Sequence, residues 1–204
     1  MRLYALLTEA HCRRPWLETA ELLLEGGVDV IQLREKVMDG RDLLARARAL
    51  RQLTDRFGAL CIVNDRPDVA LLSGADGVHL GQEDLPVEEV RRLIGPERVI
   101  GLSTHMPAQA QEAEGRGADY IGVGPVFATE TRGYPQGGGV ELVSALCRAA
   151  RLPTVAIGGI TPQNALSVWK AGAQAVAACA ALCGADDPRQ AAQCFLKALA
   201  EEIG

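Results

Sequence analysis

Eight short apolar runs recur along this chain, each followed by a stretch with helical spacing, and few folds accommodate such an alternation. The strand-length runs are Leu3–Leu7, Val28–Leu33, Leu60–Val63, Gly77–Leu80, Val99–Leu102, Tyr120–Val123, Thr154–Ile157 and Ala175–Cys179. Between and after them lie helical patterns at Leu17–Leu24, Asp42–Phe57, Val87–Leu93, Gln109–Arg116, Val143–Ala150, Gln163–Lys170 and Arg189–Glu202. The second helix carries Leu43, Leu44, Ala47, Leu50 and Leu53 on one face, as an amphipathic helix requires. Eight βα units with right-handed crossovers close into a (β/α)8 barrel. The rival, an open doubly wound sheet, lacks a GxGxxG turn after the first strand. At 204 residues the chain is short for a barrel, so its loops must be tight, except the long one between Gly124 and Gly139. No linker interrupts residues 1–204, and a single (β/α)8 barrel domain is expected.

A repeat supports the count. Gly27-Val28-Asp29, Gly74-Ala75-Asp76, Gly117-Ala118-Asp119 and Gly172-Ala173-Gln174 each end a helix and begin an apolar strand. The spacing is about two βα units, which places the motifs before the even-numbered strands. Each glycine suits the left-handed turn that stops a helix.

Barrel chemistry sits at the C-terminal ends of the strands. After strand 2, Gln32-Leu33-Arg34-Glu35-Lys36 alternates so that Gln32, Arg34 and Lys36 share one side. Two cations and an amide there suit a polyphosphate, whereas the bland reading is a solvated strand end with an Arg–Glu pair. After strands 3 and 4 come Asn64-Asp65-Arg66 and His79-Leu80-Gly81-Gln82-Glu83-Asp84. Taken singly, Asp65 and Asp84 read as helix caps, with Pro86 in the first turn of the helix that follows Asp84. Taken together beside the cationic strand end, they favour a Mg2+ site, since Mg2+ binds through one or two carboxylates plus substrate phosphates. After strand 5, Ser103-Thr104-His105 holds a lone histidine with no triad pattern around it. The loop after strand 6 carries Thr129, Thr131 and Arg132 ahead of Gly137-Gly138-Gly139, a composition suited to closing over an anion. After strand 7, Gly158-Gly159 allows close backbone approach, and after strand 8 Cys179 and Ala180 lead into a small-residue turn. Barrels often hold a phosphate between these last two loops.

Composition narrows the partners. A net charge of −5 disfavours nucleic acid, which needs extended basic surface, so an anionic ligand must meet a local cationic site. The first apolar run, Tyr4–Leu7, is too short for a signal-peptide core or a membrane span, and Ala175–Cys183 is too short to span as well. Six cysteines lie scattered with no CxxC pair and no zinc spacing, so reduced thiols and a cytoplasmic location are expected. The sequence is compatible with a homo-oligomer.

These motifs, in this order, resemble the thiamine phosphate synthase family from Leu3 to about Leu182. The specific pieces are Gln32-Leu33-Arg34-Glu35-Lys36, Asn64-Asp65-Arg66, Val78-His79-Leu80-Gly81-Gln82-Glu83-Asp84, the run from Ala118 to Phe127, and Ala156-Ile157-Gly158-Gly159-Ile160. The resemblance implies condensation of hydroxymethylpyrimidine diphosphate with hydroxyethylthiazole phosphate, through a pyrimidine cation, to thiamine phosphate and pyrophosphate. It further implies that Arg34 and Lys36 contact the diphosphate and that Asp65 and Asp84 hold Mg2+. Gln32 and Asn64 would position the pyrimidine diphosphate, and Ser103 would help hold its leaving group. Thr129, Thr131 and Gly159 would take the thiazole phosphate, with Cys179 and Ala180 at the strand-8 end of that site. Two positions depart from the family pattern. Arg132 stands where lysine is usual, and Ala180 where serine is usual. The segment Gly133-Tyr134-Pro135-Gln136 looks more like the related TenI branch of thiazole tautomerases, which use a histidine at the position of His105 and no diphosphate substrate. A barrel that binds thiamine precursors without turnover is a third reading.

Overall fold

The computed structural model describes residues 2–129 and 135–200. Eight parallel strands close into a barrel in sequence order, β1 pairing with both β2 and β8. The strands are β1 (Leu3–Leu7), β2 (Val30–Leu33), β3 (Leu60–Asn64), β4 (Gly77–Leu80), β5 (Val99–Thr104), β6 (Tyr120–Val123), β7 (Thr154–Ile157) and β8 (Ala175–Ala178). The helices are α1 (Trp16–Glu25), α2 (Gly40–Phe57), α3 (Pro67–Ser73), α4 (Val87–Ile94), α5 (Pro107–Glu112), α6 (Gly139–Ala149), α7 (Ala165–Lys170), α8 (Ala180–Cys183) and α9 (Pro188–Ala200). Among the described residues, no helix is long and apolar enough to cross a membrane.

All eight expected strands are present, with shifts at their ends. β2 starts at Val30 rather than Val28, because Val28 is still closing α1 through its N–H to Leu23 O, 3.1 Å. Cys179 leaves β8 to become the residue before α8. α5 runs from Pro107 to Glu112, not from Gln109 to Arg116. The expected end of the last helix at Glu202 lies outside the described residues.

Alternation along each strand builds two separate cores. Outward residues such as Leu3, Ala5 and Leu7, or Ile31 and Leu33, pack under the helices, where α2 lays down Leu43, Ala47, Leu50 and Leu53. Each fully buried aliphatic side chain of this kind contributes about 1.5–3 kcal/mol. Inward residues form a smaller interior cluster of Tyr4, Leu6, Val30, Ile62, Tyr120, Val155, Ala175, Ala177 and Cys179.

The repeated motif is a clasp at the bottom of the barrel. Gly27, Gly74, Gly117 and Gly172 all take positive φ, and the residue two positions on reaches back to the preceding odd strand. Asp29 Oδ2 accepts from Leu3 N at 3.0 Å, Asp76 Oδ2 from Cys61 N at 2.7 Å, Asp119 Oδ2 from Ile100 N at 2.7 Å, and Gln174 Oε1 from Thr154 N at 2.7 Å. Four equivalent bonds tie β1, β3, β5 and β7 to their even neighbours at the end remote from the mouth. The opposite end is left to the site.

Candidate active site

The C-terminal mouth holds two adjoining compartments. The smaller, about 300 Å3, is lined by Arg34, Lys36, Asn64, Asp65, His79, Gly81, Asp84 and Ser103. The larger, about 410 Å3, is mostly apolar and small-residue in character, with Gly122, Gly124, Ile157, Gly158, Gly159, Ala177 and Ala180 in its wall. Arg34 and Ser103 line both. A forked cation and a hydroxyl therefore stand at the junction between a charged chamber and a roomier one.

Each charged group reaches the small compartment from a different strand end. Arg34 extends the β1–β2 pairing by one bond, Arg34 N to Leu7 O at 2.9 Å, which aims the guanidinium into the mouth. Glu35 is engaged away from the mouth, accepting from Glu9 N at 2.8 Å and facing Arg46 at 3.5 Å. Lys36 donates to Asp65 in an ion pair. Asp65 is the only non-glycine among the described residues with a left-handed backbone, at φ 61°. Aspartate tolerates that conformation better than most residues, and the bonds Asp65 N–His79 O and Arg66 N–Asn64 O, both 2.9 Å, hold it there.

Neither aspartate caps a helix. The residue before α3 is Arg66 and the residue before α4 is Pro86, and neither helix start has a side-chain cap. Asp84 instead accepts from Gly81 N at 2.7 Å, bending its own loop so that its carboxyl faces the compartment. The two carboxyls influence each other's titration, Asp84 being raised and Asp65 lowered. Burial raises Asp84, and its neighbour Asp65 raises it further against the lowering Gly81 N–H. Asp65 is also pushed up by burial, but hydrogen bonds from Lys36 and Asp84 outweigh this and hold it below the ordinary range. Two neighbouring carboxyls repel each other when both are ionised, which makes this a place where a cation would be welcome.

Among the described residues no group of three or more His, Cys, Asp or Glu side chains is arranged to hold a metal. Two carboxylates beside Arg34 and Lys36 do fit Mg2+, which completes its oxygen shell with water and ligand phosphates. Asn64 Oδ1 is buried with no hydrogen-bond partner among the described residues, a second sign that this chamber is built for a polar guest.

The larger compartment depends on the close packing of the loop after β6 upon β7. Val126 N donates to Ile157 O and Phe127 N to Gly158 O, both 2.9 Å. A methyl at Gly159 would sit 2.4 Å from Ala128 O and 2.8 Å from Phe127 Cβ. The glycine pair is thus needed for loop packing as well as for the opening it borders. Thr129, Gly159, Cys179 and Ala180 all line this compartment. Thr131 and Arg132 lie outside the described residues. His105 borders it too, its Nδ1 2.8 Å from Gly124 O. A carbonyl only accepts, so Nδ1 carries the hydrogen and Nε2 is the acceptor of the neutral ring.

Sequence reasoning missed what lies below the mouth. Gln32 is 2% exposed and donates from Nε2 to Tyr4 Oη at 2.7 Å. Tyr4 and Tyr120 hydroxyls meet at 2.9 Å, Tyr120 Oη lies 2.9 Å from His79 Nδ1, and His79 Nε2 lies 2.9 Å from Ser103 Oγ. A buried polar chain therefore crosses the barrel interior from β2 to β5. The available signal was an inward-facing His79 and Tyr120 opposite glycines, since a methyl at Gly101 would sit 2.1 Å from Tyr120 Cζ and 2.4 Å from His79 Nδ1.

These features define a (β/α)8 barrel with a two-part cavity at its C-terminal mouth, the end at which barrel enzymes place their active sites. The family model described as thiamine monophosphate synthase matches residues 3–182, and the chain belongs to that family. It is 48% identical over 184 residues to the thiamine-phosphate synthase of Synechococcus sp. (strain CC9311), covering 90% of this chain and 52% of that protein. It is 43% identical over 205 residues to the thiamine-phosphate synthase of Shouchella clausii (strain KSM-K16), covering 98% of this chain and 97% of that one. The chain thus spans about half the length of the cyanobacterial relative and nearly all of the other. A solved structure, thiamine phosphate pyrophosphorylase from Pyrococcus furiosus, superposes with a TM-score of 0.91 at 38% identity, over 100% of this chain and 97% of that one.

Proposed function

We propose that this barrel joins hydroxymethylpyrimidine diphosphate to hydroxyethylthiazole phosphate, forming thiamine phosphate and releasing pyrophosphate. The observation that carries the reading is the two-part cavity with Arg34 and Ser103 at its junction. In this reading the charged chamber takes the diphosphate, the larger one takes the thiazole and its phosphate, and the pyrimidine lies at the junction between them. The bond that breaks joins the pyrimidine methylene carbon to the diphosphate oxygen, which leaves with the electron pair. The bond that forms joins the same carbon to the thiazole nitrogen, which supplies its lone pair. No strong base is needed; the demand is for positive charge where the leaving group becomes more negative.

Arg34 offers a planar fork at the junction and Lys36 a compact charge at the rim. Mg2+, held by Asp65 and Asp84, would neutralise diphosphate charge and draw it into register. Ser103 would donate to a leaving-group oxygen, and Gln32 and Asn64, with unpartnered Oε1 and Oδ1 atoms, would accept from the pyrimidine diphosphate. Thr129, Gly159 and Ala180 border the space assigned to the thiazole phosphate; Thr131 and Arg132 are assigned to the same phosphate by the family resemblance alone. Cytoplasmic placement belongs to the same proposal, supported by six cysteines with free thiols, three of them buried.

Incubating the purified protein with both substrates and Mg2+, and separating the products, tests the reading directly. Thiamine phosphate and pyrophosphate are expected in equal amounts. Binding of both substrates without product would instead favour the non-catalytic barrel. One observation favours a second activity: His105, with an acceptor nitrogen at the wall of the larger chamber, could serve the proton transfer of a thiazole tautomerase.

A further inference from the structure

The proton of the Ser103 hydroxyl decides what the junction offers a ligand. Ser103 Oγ has His79 Nε2 on one side and both compartments on the other. If Nε2 is bare, Ser103 donates inward to it and turns only lone pairs toward a bound anion. If Nε2 carries hydrogen, Ser103 accepts from the ring and its own proton is available to a phosphoryl oxygen. The other ring nitrogen sets which case holds, because the neutral ring has one N–H.

The polar chain beneath supplies a direction. An amide N–H only donates, so Tyr4 Oη accepts from Gln32 Nε2. The one arrangement in which both phenols donate within this network sends the Tyr4 proton to Tyr120 Oη and the Tyr120 proton to His79 Nδ1. Burial raises both phenols above their ordinary range, so each keeps the proton it must donate. With Nδ1 accepting, the hydrogen sits on Nε2. Every link donates the same way, from Gln32 toward the mouth. The chain is also rigid: Tyr4, Gln32, His79, Tyr120 and Ser103 are all buried, and Gln82 Nε2 fixes the Ser103 carbonyl at 2.6 Å.

We propose that Tyr120 and His79 are positioning residues, which act by locking the imidazole in its Nε2–H form so that Ser103 donates into the junction. The role rests on the reading that a diphosphate lies there. Of the five linked side chains, only Ser103 borders both compartments.

The chain has three histidines, so its ring nitrogens can be followed individually by 15N NMR once each is assigned by substitution. His79 is expected as the Nε2–H tautomer at neutral pH. An Nδ1–H ring, or an imidazolium, would overturn the proposal. Titration with inorganic pyrophosphate adds a readout that a merely structural role would not move. Tyr120→Phe removes the donor to Nδ1 while leaving the ring in place, and Ser103→Ala removes the final donor. Each should weaken pyrophosphate binding by about tenfold, the scale of one charge-assisted hydrogen bond. The double variant should bind no more weakly than Ser103→Ala alone, since Tyr120 acts only through Ser103. A further tenfold loss in the Ser103→Ala background, or none in the parent, sinks the idea. If the parent protein fails to bind pyrophosphate at all, the proposed function is at fault, and the ring tautomer still decides this inference.

Discussion

Lys36 and Asp65 form an ion pair across the mouth of the barrel, linking the loop after β2 to the loop after β3. The lysine side chain is about half exposed, so the pair adds little to stability. Its value lies in placement. In the proposed reaction both members change partner, the ammonium to a phosphate and the carboxylate to Mg2+.

Arg34→Ala and Lys36→Ala should each lower turnover by on the order of 10²-fold or more, as when other transition-state charge contacts are lost. Arg34 should be the more damaging, because it borders both compartments and Lys36 only one. Steady-state rates with both substrates saturating decide the matter. A loss of only a few-fold in both variants would remove the diphosphate from this chamber.

Activity should depend on Mg2+, and Asp65→Asn and Asp84→Asn should each raise the Mg2+ concentration needed for half-maximal rate by about tenfold or more. Asparagine keeps an acceptor for Gly81 N, so Asp84→Asn tests the charge rather than the loop. Full activity after exhaustive chelation would leave the carboxyl pair without a metal role.

Gly159→Ala should raise KM for the thiazole phosphate by about tenfold while leaving that for the pyrimidine diphosphate within about twofold. Gly159 has φ 61°, and its new methyl would press on Ala128 and Phe127, lifting the loop that carries Thr129. Equal changes in both constants would show that the two chambers are not used separately.

The fold was legible because period and punctuation agree along the chain. Eight apolar runs and four glycine-led motifs gave strand number and parity without any knowledge of contacts. The purpose of the residue two positions after each glycine was not legible, because its partner is a backbone N–H on the neighbouring strand, 15 to 26 residues away. At the mouth, Arg34, Lys36, Asp65 and Asp84 could be read because charge at strand ends is conspicuous. His79, Tyr4 and Tyr120 could not, since each sits in an apolar run and joins partners on other strands only when the barrel closes. The cap reading of Asp65 and Asp84 failed because α3 and α4 start at other residues.

The clasp gives a stability prediction distinct from catalysis. Asp119→Ala removes the acceptor of Ile100 N and a partner of Arg91, at the barrel end remote from the mouth. It should cost about 1–3 kcal/mol in urea unfolding, with turnover unchanged within about twofold. A large fall in turnover with no change in stability would contradict the assignment of the two barrel ends to separate tasks.

The sharpest comparison sets His105 against Lys36. A synthase must stabilise a departing diphosphate, so it should fail without Lys36 and tolerate loss of a proton carrier. A thiazole tautomerase moves a proton on a thiazole carboxylate phosphate, so it should require His105 and be indifferent to Lys36 and metal. Both residues are present at the mouth, His105 bordering the larger chamber and Lys36 the smaller. The His105 ring is already engaged through Nδ1 with Gly124 O, which gives it a structural task that alanine would also remove. Even so, His105→Ala should lose less than about tenfold in thiamine phosphate formation, below the 10²–10⁴-fold range of a general acid–base residue. Lys36→Ala should lose on the order of 10²-fold in the same assay. Both variants and the parent should be assayed for both reactions on the same preparations. Should only the tautomer form, and only while His105 is present, the synthase proposal gives way to the tautomerase.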